Sequence, residues 1–234
     1  MQTSAKRRPS SPSSGDSLLG QRDRLIELAT QAVEGSGPEA LRVRSLAAEV
    51  GASTQVIYTL FGGMPGLIQA IVAAGFVRFA RHVGAVPETE DPVADFFAKG
   101  AAYAEWALAH PQLYRLMFGL TGGGLRHHSG LEVSVAGTVA NTPQAQAALD
   151  VLLGSMARVT ESGRINSSDP VAPAAQFLSA THGWVLLEIG GTFGPDGGGL
   201  DIVFDLAVNL MAGLGDSRAA AEKSLRAAQL ARAG

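Results

Sequence analysis

Residues 54–59, Thr54-Gln55-Val56-Ile57-Tyr58-Thr59, carry the side chains whose types and spacing best fit a definable chemistry. On a helix, Ile57, Leu60 and Phe61 share one face and leave Thr54, Gln55, Tyr58 and Thr59 on the other. A glutamine amide can pair bidentately with adenine, and a valine or threonine methyl can touch the methyl of thymine. Thr54, Gln55 and Val56 therefore suit the reading of base edges. Arg42 and Arg44 lie upstream, where guanidinium groups can add phosphate contacts. The same spacing also describes an ordinary helical hairpin in an all-α core, and pattern alone leaves both uses open.

Two short helices must position these groups. Val43, Leu46, Ala47 and Val50 recur at i, i+3, i+4 and i+7, which sets them on one buried face. Gly51 follows, where a left-handed residue ends a helix without a Cβ clash. Ser53 is a good N-cap for the second helix. A preceding helix from Leu18 to about Val33, with Leu25, Ile26, Ala29, Ala32 and Val33 as its stripe, completes a three-helix domain over residues 18–63. A connecting helix is expected over residues 64–84, with Leu67, Ile68, Ile71, Val72, Gly75 and Phe79 on a wide apolar face.

The remainder predicts a larger helical domain over residues 85–215. Its helices are expected at Pro92–Ala109, Gln112–Gly119, Thr142–Ser162, Pro170–Ile189 and Leu200–Leu214, divided by His110-Pro111 and by Gly/Pro-rich turns. Thr121 to Gly130, with His127 and His128, reads as a mobile glycine-rich loop. Residues 216–234 read as a tail able to form an exposed Ala/Arg-rich helix with a thin apolar stripe. Residues 1–17 are Ser/Pro-rich around Lys6-Arg7-Arg8 and read as a disordered arm, solvated or reaching for DNA. No alternating strand pattern stands out, so the expected fold class is all-α.

Composition narrows the function. The chain has 234 residues, no cysteine and a net charge of −3, so any nucleic-acid contact must come from a local basic patch rather than a general coating. No signal peptide or membrane-length apolar run free of breaks stands out, and a soluble cytoplasmic protein is expected. A nucleophile elbow, a phosphate loop, a His-Glu-x-x-His pair and a Rossmann glycine pattern are all missing, so no catalytic residue is assigned. His127-His128 with Glu132 is the nearest approach to a metal set, but neighbouring histidines do not chelate readily from one face. No metal or cofactor is expected.

The run Ala47-Ala48-Glu49-Val50-Gly51-Ala52-Ser53, followed by Val56-Ile57-Tyr58 and Phe61, resembles the DNA-binding domain of the TetR family of transcriptional regulators over about Leu19 to Val83. Ala109 to Phe118, AHPQLYRLMF, and Thr181 to Glu188, THGWVLLE, resemble the C-terminal domain of the subgroup named for a Trp-His-Gly motif. Thr181 replaces the name-giving Trp, while His182-Gly183 persists. The resemblance implies a regulator, by family habit a repressor, that binds double-stranded DNA as a homodimer on a near-palindromic operator and is released by a small molecule. It implies phosphate contacts for Tyr58 and Thr59 beside the base-reading Ser53–Val56 end. Two departures stand out: Arg42 occupies a position that is usually Ser or Thr, and Met64 one that is usually basic.

Three further sets of residues follow. A pocket between the larger helices would be lined by Phe97, Tyr103, Trp106, Tyr114, Phe118, His182 and Glu188, which suits an apolar or aromatic effector. The dimer surface is expected on the last two long helices, at Phe177, Ala180, Gly183, Trp184, Leu187, Val203, Leu206 and Leu210, unless these faces form the monomer core. The competing function is a helical protein-interaction or ligand-binding module that has lost sequence-specific DNA binding.

Overall fold

The computed structural model describes residues 14–120, 131–134, 137–140, 142–194 and 199–233, and the chain divides into two compact units, Met1–Ile71 and Val72–Gly234. In the first unit, helix α1 spans Ser14–Ser36, a 3-10 turn Pro38–Ala40, α2 Val43–Glu49 and α3 Gln55–Phe61; α4, Met64–Gly84, begins here and continues into the second unit. Leu25, Ala29 and Val33 of α1 meet Leu46 and Ala47 of α2, Ile57 of α3 and Leu67 of α4 in a buried core. Burying each such side chain contributes about 1.5–3 kcal/mol.

The turn between α2 and α3 is built by glycine. Gly51 takes φ +66°, its N–H donates to Ala48 O at 3.0 Å, and the Ala52 N–H donates to Ala47 O at 2.9 Å. These two bonds satisfy carbonyls that the end of a helix leaves orphaned. Two expectations are corrected. The first helix begins at Ser14, so residues 14–17 are helical rather than part of the arm; Lys6, Arg7 and Arg8 lie outside the described residues. Thr54, not Ser53, is the N-cap of α3, and neither side chain caps: the first bonds run from Val56 N–H to Ser53 O and from Ile57 N–H to Thr54 O.

The second unit continues α4 and adds α5 (Pro92–Ala109), α6 (Pro111–Met117), β1 (Leu131–Ser134), β2 (Gly137–Ala140), α7 (Pro143–Glu161), α8 (Val171–Ile189), α9 (Leu200–Gly213) and α10 (Arg218–Ala233). The Asp91 carboxylate accepts from Val93 and Ala94 N–H at 3.1 Å, and Thr142 Oγ1 accepts from Ala145 N–H at 3.2 Å. In both cases proline sits at the start of the helix, where its missing N–H costs nothing. The fold is all-α as expected, apart from one antiparallel hairpin with Leu131 opposite Ala140 and Ser134 opposite Gly137. Four-residue strands are too short for an alternating pattern to stand out in the sequence. His127 and His128 lie outside the described residues.

Residues 216–233 are not an exposed tail. Helix α10 packs along α5 and α9, with Ala221, Ser224 and Ala228 buried. Small side chains let two helix backbones approach closely, which a search for a wide apolar stripe overlooks. Polar groups then fix the seat. Arg164 grips the buried Asp216 carboxylate through two nitrogens at 2.9 and 2.6 Å, while Ser224 Oγ donates to Asp91 at 2.7 Å. Burial raises the Asp95 carboxyl, but hydrogen bonds from Thr89 and the Arg158 guanidinium at 2.7 Å outweigh it and hold the group below its ordinary range.

Helix α4 is long and apolar enough to span a membrane by length and composition alone. Leu67, Ile71, Phe76, Phe79 and Val83 are instead buried against protein.

Candidate functional site

Helix α3 is anchored by its inner face and offers its outer one. Ile57 is fully buried, whereas Ser53, Thr54, Gln55, Tyr58 and Thr59 are exposed and Val56 is half-buried. Thr59 Oγ1 donates to Gln55 O at 3.0 Å, and Arg22 of α1 stacks over the Phe61 ring at 5.3 Å. The end of α3 is set by close backbone approach: a Cβ placed on Gly66 would lie 1.8 Å from Phe61 O, so only glycine fits. Arg44 is exposed at the start of α2. Arg42 is turned back on its own segment, donating to the carbonyls of Glu39 and Leu41. Its guanidinium is thus held beside the 3-10 turn, an arrangement that sequence spacing does not reveal.

A cavity of about 510 Å³ lies within the second unit, bordered by α4, α5 and α7–α10. Of the residues expected to line it, Phe97, Tyr103 and Phe118 do. Trp106 lies behind Phe79, their rings edge to face at 5.3 Å. Tyr114 and His182 stand one layer back and join the wall through hydrogen bonds. Tyr114 Oη is 2.5 Å from both Tyr103 Oη and His182 Nδ1, and Tyr103 Oη is 3.3 Å from the same nitrogen. Burial pushes both phenols above their usual range and pushes His182 below its own, so all three are neutral at pH 7.

Glu188 is corrected out of the pocket. Carried near the end of α8, it reaches toward the residue before α9, where a Cβ on Gly199 would stand 2.5 Å from its Oε2. Phe76, Phe96, Leu149 and Phe204 line the cavity without having been singled out, because an aromatic on a helical stripe looks the same whether it faces a void or a neighbour. Lys99 also borders it, its ammonium paired with Glu88 at 3.0 Å, and nothing in the local sequence signals that pairing.

The expected dimer face separates into two groups. Phe177 meets Phe96 edge to face at 4.9 Å, Trp184 Nε1 donates to Gly199 O at 2.8 Å, and Val203 is buried. These three belong to the monomer core. Leu210 is half-buried against that core, while Ala180 and Gly183 are half-exposed. Leu187 and Leu206 are exposed large apolar side chains, and Leu200 and Ile202 on α9 are exposed as well. Four exposed aliphatic residues on two adjacent helices are what an unpartnered packing surface looks like.

A small helix-turn-helix unit and a larger helical unit hollowed by an apolar cavity define the architecture. Residues 96–211 match the family profile described as the Tetracyclin repressor-like C-terminal domain. An uncharacterized HTH-type transcriptional regulator of Mycobacterium tuberculosis is 25% identical over 197 residues, covering 82% of this chain and 81% of that one. A protein of unknown function from Rhodococcus sp. RHA1 shares the fold at a TM-score of 0.64 and 24% identity, over 83% of this chain and 94% of that chain. RolR in complex with resorcinol shares it at 0.61 and 14% identity, over 90% and 95%. The SmeT–triclosan complex follows at 0.51 and 15%, over 85% and 94%. Residues 96–211 thus carry a TetR-type C-terminal domain after the helix-turn-helix unit. The Trp-His-Gly subgroup remains a resemblance only.

Proposed function

We propose that this chain is a TetR-family regulator that binds a near-palindromic operator as a homodimer and represses until an apolar or aromatic small molecule enters the cavity of the second unit. The observation that carries the reading is the outward face of α3, where Ser53, Thr54, Gln55, Tyr58 and Thr59 are exposed around a buried Ile57. A helix of seven residues presents its N-terminal end to the major groove, so Thr54, Gln55 and Val56 read bases while Tyr58, Thr59 and Arg44 hold phosphates. Arg42 contributes only after leaving the Glu39 and Leu41 carbonyls. The exposed Leu187, Leu206 and Ile202 of α8 and α9 supply the dimer surface. The protein acts in the cytoplasm and catalyses no reaction.

Effector action is a differential affinity: a ligand shifts the DNA equilibrium only as far as it prefers one conformation over the other. The route runs through α6, which carries Tyr114, is followed by Phe118 and rests on α4 where a Cβ on Gly75 would come within 2.6 Å of Met117 Sδ. RolR forms a complex with resorcinol and SmeT one with triclosan, in keeping with a small-molecule effector here.

Selection of bound fragments from a random DNA pool by the purified protein tests the reading. A near-palindrome whose affinity falls steeply as salt rises is expected. Recovery of no motif from folded, dimeric protein would favour the helical interaction module.

A further inference from the structure

We propose that the cavity selects a neutral, hydroxyl-bearing molecule larger than one aromatic ring, anchored by a single hydrogen bond to the Tyr103 phenol with apolar contacts elsewhere. The inference rests on the effector reading above and adds the chemical class.

Hydrogen-bond accounting in the Tyr103–Tyr114–His182 set leads to the hydroxyl. If His182 carries its proton on Nε2, Nδ1 accepts from Tyr114, Tyr114 accepts from Tyr103, and the Tyr103 oxygen is left without a donor. If the proton is on Nδ1, it goes to Tyr114, Tyr114 donates to Tyr103, and the Tyr103 proton is left without an acceptor. With both 2.5 Å contacts made, Nδ1 is spent on Tyr114 rather than on Tyr103 at 3.3 Å, and in either tautomer the unused capacity of the phenol pair falls on Tyr103, the one member of the three that lines the cavity. An occupant's hydroxyl can donate or accept and so completes both arrangements. An ether completes only the one in which Tyr103 donates.

Charge and size set the rest. The cations bordering the cavity already have carboxylate partners: Lys99 lies 3.0 Å from Glu88, and Arg232 of α10 lies 2.8 Å from Glu105. Ser155 Oγ donates to Val151 O at 2.8 Å and is also engaged. A carboxylate ligand would therefore lose its hydration with no free cation to meet it among the described residues, a penalty a neutral hydroxyl avoids. The remaining wall is dominated by Phe76, Phe96, Phe97, Leu149 and Phe204. A volume of about 510 Å³ lies in the range of sites for drug-sized ligands and exceeds what one ring fills.

The test uses three molecules of one shape, 9-phenanthrol, phenanthrene and phenanthrene-9-carboxylate, titrated calorimetrically into the full-length dimer, wild type and Tyr103→Phe. The hydroxyl compound should bind wild type at least about tenfold more tightly than either of the others, the scale of one buried hydrogen bond. Tyr103→Phe should abolish that preference, so that phenanthrol and phenanthrene bind the variant with equal affinity. Equal binding of phenanthrol and phenanthrene by wild type, tightest binding of the carboxylate, no binding of any of the three, or a preference that survives Tyr103→Phe would each overturn the proposal. The wild-type series needs no variant, so a misfolded mutant does not rescue it. Operator affinity measured with and without phenanthrol keeps the two readings apart. Selective binding that leaves operator affinity unaltered would sink the effector reading and spare the ligand class.

Discussion

Burial holds the His182 imidazole below its ordinary value of 6.5, and that has a consequence for stability. The unfolded chain takes up a proton near pH 6.5, whereas the folded one resists it until lower pH. The contribution of His182 is therefore complete above 6.5 and declines as pH falls through the interval between the two values. Denaturant unfolding from pH 7.5 to 5.5 should show this loss, and His182→Gln should flatten the slope; an unchanged slope would place the acid sensitivity elsewhere. On α3, Gln55→Ala should relax preference at one base position in each half-site by about 1–3 kcal/mol, read by selection from a degenerate operator library. Tyr58→Ala should weaken binding to all sequences alike. A changed motif with Tyr58→Ala would contradict a phosphate role.

At the scale of elements, two seats depend on contacts that a pattern of hydrophobic residues does not encode. The start of α4 passes so near the end of α3 that Gly66→Ala would place a methyl group against Phe61 O. Overpacking against backbone, which cannot rotate away, should cost at least about 1–3 kcal/mol, with operator affinity lost along with stability in thermal melts. Helix α10 is held by the bidentate Arg164–Asp216 pair, whose Asp216 carboxylate is only 4% exposed. Arg164→Ala leaves that charge buried and alone, so a loss of about 3 kcal/mol is expected in urea unfolding. Because Leu225, Ala228 and Arg232 of α10 border the cavity, ligand affinity should fall as well. Retained stability would mean that water reaches Asp216 freely.

For the whole molecule, the separation of α8 and α9 into core and surface residues redirects the experiment on assembly. Trp184 and Phe177 are buried within one chain, so charging either would unfold the protein and report nothing about dimers. Leu206 is exposed, and Leu206→Arg should give a folded monomer by sedimentation with operator binding greatly reduced, since one head alone engages one half-site. A Leu206→Arg protein that remains fully dimeric would move the interface off this face. Both outcomes are readable because a surface leucine seldom carries the fold.

The sequence by itself determined the helical class, the order of the helices and the helix-turn-helix, because each rests on local physics. A 3.6-residue period, a glycine taking φ +66° at Gly51 and prolines at helix starts act over a few residues and are visible there. The outward set on α3 was legible for the same reason, since burying Ile57 dictates which neighbours face out. Tertiary structure alone decided which aromatics border a cavity, that Tyr103, Tyr114 and His182 form one hydrogen-bonded set across 79 residues, and that Glu188 stands apart from it. It also decided that α10 belongs to the core, because close packing through Ala221 and Ala228 and pairing of Arg164 with Asp216 depend on partners distant in sequence. Helical periodicity says that a face is buried; only the packed chain says against what.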